Sequence, residues 1–358
     1  MFSAFVDYPI IRFIRYTMTN RHKASVQLLS WGAGIQAVKV PNQLGILGDV
    51  VLGFDDMNGY LKNRYIGSII GRIVNRVSCA KMRIENKMYA LSVNDKDGSS
   101  HLHGGIAAFD NVNWDSYALN NHVIMSHLSP ANSEGYPGDM LTQIKYSWTD
   151  DNQLHINIRA TATQPTPANI TTHCLMNLAG HATGPNELKK HVISMNAGSW
   201  TIADIRDHLP TGAIHPVDHT VFDLRLPTQL TKRRLYIVPG GGYNQNLCIT
   251  RKTNKILHPG SGRTLEVYSN QPGLIINLPN FIYNRLQEEE DKQDDVWGKD
   301  GVRYQRHGGF ILSPQNYPDA VNISNFPPCI LYPGEVYRHD ITYKFEITDR
   351  CRECLKLR

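Results

Sequence analysis

Side chains that alternate along the chain decide what this polypeptide can fold into. From His155 to Thr163, Ile156, Ile158, Ala160 and Ala162 fall on one face of an extended strand. Asn157, Arg159, Thr161 and Thr163 fall on the other. The stretches Val26–Val40, Thr264–Ser269, Leu274–Leu278 and Ile341–Ile347 are rich in β-branched and aromatic residues, each bounded by Gly, Pro, Asn or Asp. Ile10–Thr19 reads as an early strand. One segment departs from the pattern: Ile66, Ile69, Ile70, Ile73, Val74 and Val77 recur at helical spacing around Gly67 and Gly71, which predicts at most a short helix. No solenoid or propeller period and no compositional break is present. With 358 residues, 41% of them hydrophobic, the chain can bury a large core. The expectation is an all-β sandwich in a single domain over 1–358. Within it, about 1–20 form an N-terminal segment and about 284–307 a charged surface loop that includes the acidic run Gln287–Asp295.

Charge and composition exclude several classes of partner. The formal charge is only +5, and no Lys/Arg run is interleaved with aromatics, so nucleic acid is not an expected ligand. No apolar stretch is long enough to span a membrane. Met1–Tyr16 is apolar, but Asp7 and Pro9 interrupt it, Arg12 and Arg15 come late, and no small-residue cleavage site follows, so it does not read as a targeting segment. The six cysteines, Cys79, Cys174, Cys248, Cys329, Cys351 and Cys354, are sparse and irregular, which fits reduced thiols in the cytoplasm. Cys351 and Cys354 have metal spacing, but a structural zinc site needs two more ligands. Asn169-Ile-Thr171 and Asn322-Ile-Ser324 match the glycosylation pattern without a secretory signal.

Five stretches carry chemistry-bearing residues. Gly71-Arg-Ile-Val-Asn75-Arg76 sets an amide beside a guanidinium, a pair able to grip a polyol or to be plain surface polarity. In Ser100-His101-Leu102-His103-Gly104-Gly105, two histidines at i and i+2 point to one side of a strand. A metal there needs a third ligand, and the sequence nearby supplies none. A histidine donating to a ligand oxygen and a histidine satisfied in the core both remain open. His173 leads an apolar run into Asn177-Leu-Ala-Gly180, and Asp204 to Gly212 is a polar loop whose acids, Asp207 among them, can accept sugar hydroxyls. Gly308 to Asn322 opens with two glycines, continues through a short buried strand Phe310–Leu312, ends that strand at Ser313, and runs from Gln315 as an ordered loop. A surface turn is the plainer reading of those residues taken alone.

Together these residues resemble the galactose mutarotase (aldose 1-epimerase) family, in the family's order and over nearly the whole chain. The matching motifs begin with Trp31-Gly32-Ala33, Val51-Leu-Gly-Phe54, Gly71-Arg72 with Asn75-Arg76, and Leu102-His103-Gly104-Gly105. They continue through Gly135-Tyr-Pro-Gly-Asp139, His173 with Asn177-Leu-Ala-Gly180, Pro210-Thr-Gly212, Phe222-Asp-Leu-Arg225 and Leu265-Glu-Val-Tyr268. They close with Gln271-Pro-Gly273, Asn280-Phe281 and Pro318-Asp-Ala-Val-Asn322. The resemblance implies a β-supersandwich, no metal or other cofactor, and interconversion of the α and β anomers of galactose and glucose by acid/base ring opening. It places His173 on the general acid position and Asn75, Arg76, His103, Asp207 and Gln271 on sugar-gripping positions. The loop carrying Asp207 is shorter than the family's.

The chain also departs from that pattern. The family's catalytic glutamate position holds Ser313, followed by Pro314, and a serine hydroxyl is not a base at pH 7. Asp319 is no replacement, because the family already carries an aspartate there. Around the acid, Thr172 stands where the family has Asn, and Cys174-Leu175-Met176 where it has Ser-Tyr-Phe. The expectation is therefore a mutarotase-like protein of hexose metabolism with reduced turnover, a monomer or weak dimer. The alternative is a catalytically inactive sugar-binding or interaction protein on the same scaffold.

Overall fold

The computed structural model describes residues 2–7, 12–96, 98–204, 206–250, 254–278 and 296–348. Asn280-Phe281, the Gln287–Asp295 run, Cys351 and Cys354 lie outside them. Three antiparallel sheets supply the frame. One has five strands in the order Phe2–Asp7, Arg12–Thr19, Ser25–Leu29, Gly34–Pro41 and Leu47–Asp49. The largest has nine, running from the edge strand Asp115–Leu119 through His122–Ser129, Met140–Trp148, Gln153–Ala162, Tyr337–Ile347 and Arg263–Ser269 to three short strands. The third has six: Leu175–Met176, Phe310–Gln315, Gly273–Asn277, Asn244–Ile249, Ala197–Ala203 and Pro210–Pro216.

Alternation in the sequence becomes sidedness in the sheets. Ile156, Ile158 and Ala160 are buried, as their spacing predicts, while Asn157 and Arg159 meet Asp340 on the opposite face. One core joins all three sheets: Val26 and Ile35 from the first, Ile144, Ile156 and Tyr343 from the second, Leu274, Ile276, Phe310 and Leu312 from the third. The Tyr343 hydroxyl ties two of the sheets together by donating to the Leu312 carbonyl at 3.1 Å. Because Leu274, Ile276 and Leu312 face this core, Ile275, Ser313 and Gln315 must face the other way.

The helical spacing after Gly67 does not make a helix. Ile69–Ile70 and Arg76–Val77 are short strands, and the nearby helix is Met57–Lys62, capped by Asp56. Tyr65, Gly67 and Asn75 hold positive φ of 77°, 78° and 69°, which no helix tolerates. The aliphatic residues also pack in different places: Ile69 in the main core, Ile66 beside Phe54, Ile70 and Val74 with Tyr65, Ile73 and Val77 with Met82. Three-to-four spacing here reflects a winding loop that dips repeatedly into the interior. Among the described residues, no helix is long and apolar enough to cross a membrane.

Candidate functional site

Two hairpin-like loops build the site. The short pairing of His101–Leu102 with Arg76–Val77 sets Leu102 opposite Arg76, and one step further His103 opposite Asn75. Both His103 and Asn75 adopt left-handed backbone, φ 53° and 69°. Gly104 follows at φ +88°, and a Cβ there would lie 1.9 Å from the Gly71 carbonyl oxygen, so the Leu-His-Gly-Gly string is required by close packing of the two loops. Glu134 braces the far side, accepting from Ile106 N at 3.0 Å and Ala107 N at 2.8 Å and from the Ser92 hydroxyl. Arg72, between Gly71 and Ile73, is wholly internal and donates to Ser129, Pro130, Pro137, Gly138 and Thr166. It is a brace beneath the loops, with burial pushing its guanidinium down to about 10.

A third segment, Asn169–Asn177, threads between the sheets. Ile170 is held by Tyr337 and His339, and the Thr171 hydroxyl donates to the Pro314 carbonyl at 2.6 Å. His173 is then clamped through its own main chain, its N–H donating to Ser68 O and its carbonyl accepting from Gly67 N, each at 2.9 Å. Its ring meets His103 edge to face, centroids 5.1 Å apart, and Tyr65 packs on His103 at 4.8 Å. The two histidines, 70 positions apart in sequence, are thus in contact. Both are almost fully buried, and His173 Nδ1 is sealed from solvent without a hydrogen-bond partner. Burial pushes His173 down to about 4, and burial followed by the neighbouring His173, Arg76 and Arg64 pushes His103 well below the ordinary histidine range. Both rings are neutral near pH 7.

His101 and His103 do not share a side. The strand there spans only His101–Leu102, and the left-handed turn at His103 sends its ring elsewhere. His101 is satisfied internally: Nδ1 donates to the Ser92 carbonyl at 2.7 Å and Nε2 accepts from the Tyr136 hydroxyl at 2.6 Å. Of the two readings the sequence left open, His101 takes the core one and His103 lies against His173. Among the described residues, no cluster of three His, Cys, Asp or Glu side chains is arranged to hold a metal ion.

Ser313 does not end its strand. Phe310–Gln315 is one strand, and Ser313 pairs with Ile275 and Pro314 with Leu274 inside it. Proline is accommodated because its carbonyl, which it keeps, is the group used, accepting from Thr171. Ser313 is fully buried, and its hydroxyl donates at 2.9 Å to the carbonyl of Thr172, the residue before His173. That commits its proton to a main-chain acceptor.

The remaining candidates lie further out. Asn75 contacts His103 through its main chain, while its side-chain oxygen accepts from Arg76 N at 3.0 Å. Arg76 is paired with Asp95. Asp207 sits in the loop before Leu209, whose N–H it accepts at 2.9 Å. Its neighbour His208 is lowered by burial and then by Arg76, with Asp95 and Asp207 opposing that shift, which links Asp207 electrostatically to the Arg76–Asp95 pair. Gln271 donates to the Arg338 carbonyl at 3.4 Å. Among the described residues, no hydrogen bond joins Asp207 or Gln271 to either histidine. Two features were not read from the sequence. Tyr65 carries no motif of its own. Asn246 shares the sheet face of Ser313 through Ile275 and is buried with its side-chain oxygen unpartnered.

Comparison with known proteins agrees with this architecture. The aldose 1-epimerase family model matches residues 15–344. The chain is 40% identical to a galactose mutarotase from Homo sapiens over 328 residues, covering 90% of this chain and 91% of that protein. It is 28% identical to an aldose 1-epimerase from Streptococcus thermophilus, covering 92% and 94%. Among solved structures, an aldose epimerase homologue from C. elegans superposes with a TM-score of 0.84 at 27% identity, covering 94% of this chain and 99% of that one. A match of this length and identity places the chain in the aldose 1-epimerase family.

Proposed function

We propose that this protein is an aldose 1-epimerase acting on the free anomers of galactose or glucose, with turnover reduced by the serine at position 313. The observation that carries the reading is the neutral, buried His103–His173 contact with an unpartnered ring nitrogen, on a scaffold shared with galactose mutarotases over most of its length. In this reading the protonated fraction of His173, small near pH 7, gives its proton to the ring oxygen as the C1–O5 bond breaks. A base takes the anomeric hydroxyl proton, the aldehyde rotates about C1–C2, and the reverse transfers close the ring on its other face. His103, Asn75, Arg76, Asp207 and Gln271 are assigned to the sugar and its surroundings.

Two features weaken turnover together. The Ser313 hydroxyl donates its proton to Thr172 and, among the described residues, has no partner to make it basic. A carboxylate at that position would also favour a protonated His173, whereas here burial alone sets its pKa at about 4. The bonded state of Ser313 favours a second reading, a sugar-binding protein without turnover. Anomer exchange of galactose and glucose, followed by polarimetry or NMR on pure protein, separates the two. The first reading expects a slow, protein-dependent rate abolished by His173→Ala. The second expects binding in the millimolar range, on the order of −4 kcal/mol, with no rate above background. Neither binding nor rate is expected to respond to a chelator. We further assign the chain to the cytoplasm, acting as one unit and as a monomer or weak dimer.

A further inference from the structure

His103 is held by one residue through two main-chain contacts. Asn75 N–H donates to His103 Nδ1 at 3.1 Å, and His103 N–H donates to the Asn75 carbonyl at 3.0 Å. A ring nitrogen that receives an N–H presents its lone pair, so the single proton of the neutral ring resides on Nε2. We infer that Asn75 is a positioning residue whose main chain locks His103 as the Nε2–H tautomer, so that the imidazole meets a ligand only as a hydrogen-bond donor and the ligand must offer an acceptor oxygen there. The aldose reading supplies only the identity of that ligand, a neutral polyol; the tautomer stands apart from it.

Several features make the lock a built one. Asn75 is left-handed at φ 69°, a conformation asparagine tolerates better than most residues, and its side-chain oxygen accepts from Arg76 N at 3.0 Å. The turn leaves the Asn75 N–H pointing at the ring. Tyr65 and His173 pack on that ring from their own elements, fixing its orientation. A second proton on Nδ1 would confront the Asn75 N–H head on. Two residues earlier, His101 shows the opposite arrangement, its Nδ1 donating to the Ser92 carbonyl. The same local sequence thus sets two neighbouring histidines in opposite tautomers, one for the interior and one for a ligand.

Long-range proton–nitrogen NMR on the intact, sugar-free protein near pH 7 reads this directly. His103 is expected to show a bare Nδ1 and a protonated Nε2, with His101 the reverse as an internal control. A protonated Nδ1 on His103 overturns the proposal. Asn75→Ala, which strains the left-handed turn, is expected to give a tautomer mixture and to weaken galactose binding. Asn75→Gly keeps the N–H and accepts the turn, and is expected to restore the single tautomer. Failure of glycine to do so overturns the positioning role. His103→Gln ends in an amide donor and His103→Glu in an acceptor, so Gln is expected to bind galactose roughly tenfold more tightly. Equal affinity overturns the donor assignment. If the wild type binds no galactose, the aldose reading fails, while the tautomer measurement still decides whether Asn75 locks His103.

Discussion

Among the described residues two pairs of buried histidines are in contact, and they are finished differently. His191 and His258 stack with centroids 4.8 Å apart, and all four ring nitrogens are used. His191 Nε2 accepts from Leu178 N at 3.0 Å, and its Nδ1 lies 3.1 Å from the Glu187 and Leu188 carbonyls. His258 reaches the Glu187 carboxylate and the Ser261 hydroxyl, each at 3.0 Å. His103 and His173 are equally buried, yet His173 Nδ1 is left open. A closed pair stabilises the turn it sits behind, Asn177-Leu-Ala-Gly180. An open pair forgoes that stability, which makes sense where a ligand completes the bonding. Burial and a low pKa are common to both pairs, so neither tells them apart; the unmade bond does.

The largest expected effect tests what the open pair can do chemically. A positioned general base contributes about 10²–10⁴-fold. The wild type is therefore expected to exchange anomers at least ~100-fold more slowly than an intact family member under matched conditions. Ser313→Glu is expected to recover part of the deficit, and Ser313→Glu/His173→Ala to lose the gain. Recovery stays partial because the new carboxylate must swing away from the Thr172 carbonyl that Ser313 now contacts. Near-family rates in the wild type would show that another group serves as base. A gain that survives His173→Ala would remove His173 from the acid position.

Stability should order the two pairs the other way. His191→Ala strands Leu178 N and opens a cavity in the core, for an expected loss of roughly 3 kcal/mol in urea denaturation. Among the described residues the His173 side chain makes no hydrogen bond, so His173→Ala is expected to lose the cavity term alone, roughly 2 kcal/mol. The reverse order would erase the distinction between a closed and an open pair.

Proton linkage sharpens it further. His173 titrates at about 4 in the folded protein and near the ordinary 6.5 when unfolded. Between those values the unfolded chain binds the proton and the folded one does not. This contribution is therefore full above pH 6.5 and is lost as pH falls through that window. One such group is worth about 2 kcal/mol by pH 5. His191, held at about 3, adds a parallel loss that extends lower. Unfolding free energies measured from pH 7 to pH 4.5 should therefore fall less steeply in His173→Gln, by close to one proton. An unchanged slope would mean His173 is already charged or already solvated in the native state.

Much of the frame was legible in the sequence because period two survives wherever one sheet face meets the core, as at Ile156–Ala160. The Ile66–Val77 run misled because its side chains enter four different clusters, and spacing alone carries no record of where each one goes. His103 and His173 were identifiable as candidates, but their contact depends on two left-handed turns and a threaded segment that no local pattern encodes. The end of the Ser313 strand was misplaced for a related reason. Proline at 314 reads as a stop only if its missing N–H is needed, and here the bonding runs through its carbonyl. Asn246 was invisible because its relation to Ser313 passes through strand register.

The smallest effect concerns Ser313 itself. Among the described residues its hydroxyl is the only side-chain group on the Thr172 carbonyl, at 2.9 Å in a fully buried strand. Alanine fits the same strand face without crowding, so Ser313→Ala should remove that hydrogen bond and little else. A single neutral bond of this kind is worth about 1 kcal/mol, and urea denaturation should show a loss of that size. The loss should also be local. Thr172 precedes the main-chain clamp on His173, so the amides of His173 and Gly67, which bond to Ser68 and His173 carbonyls, should exchange faster with solvent. The closed pair lies behind the Asn177–Gly180 turn and, among the described residues, has no bond to Ser313, so Leu178 N should keep its protection. Equal loosening at Leu178 would mean the two histidine pairs share one cooperative unit. No loosening at His173 would mean that the serine merely fills space beneath the open pair.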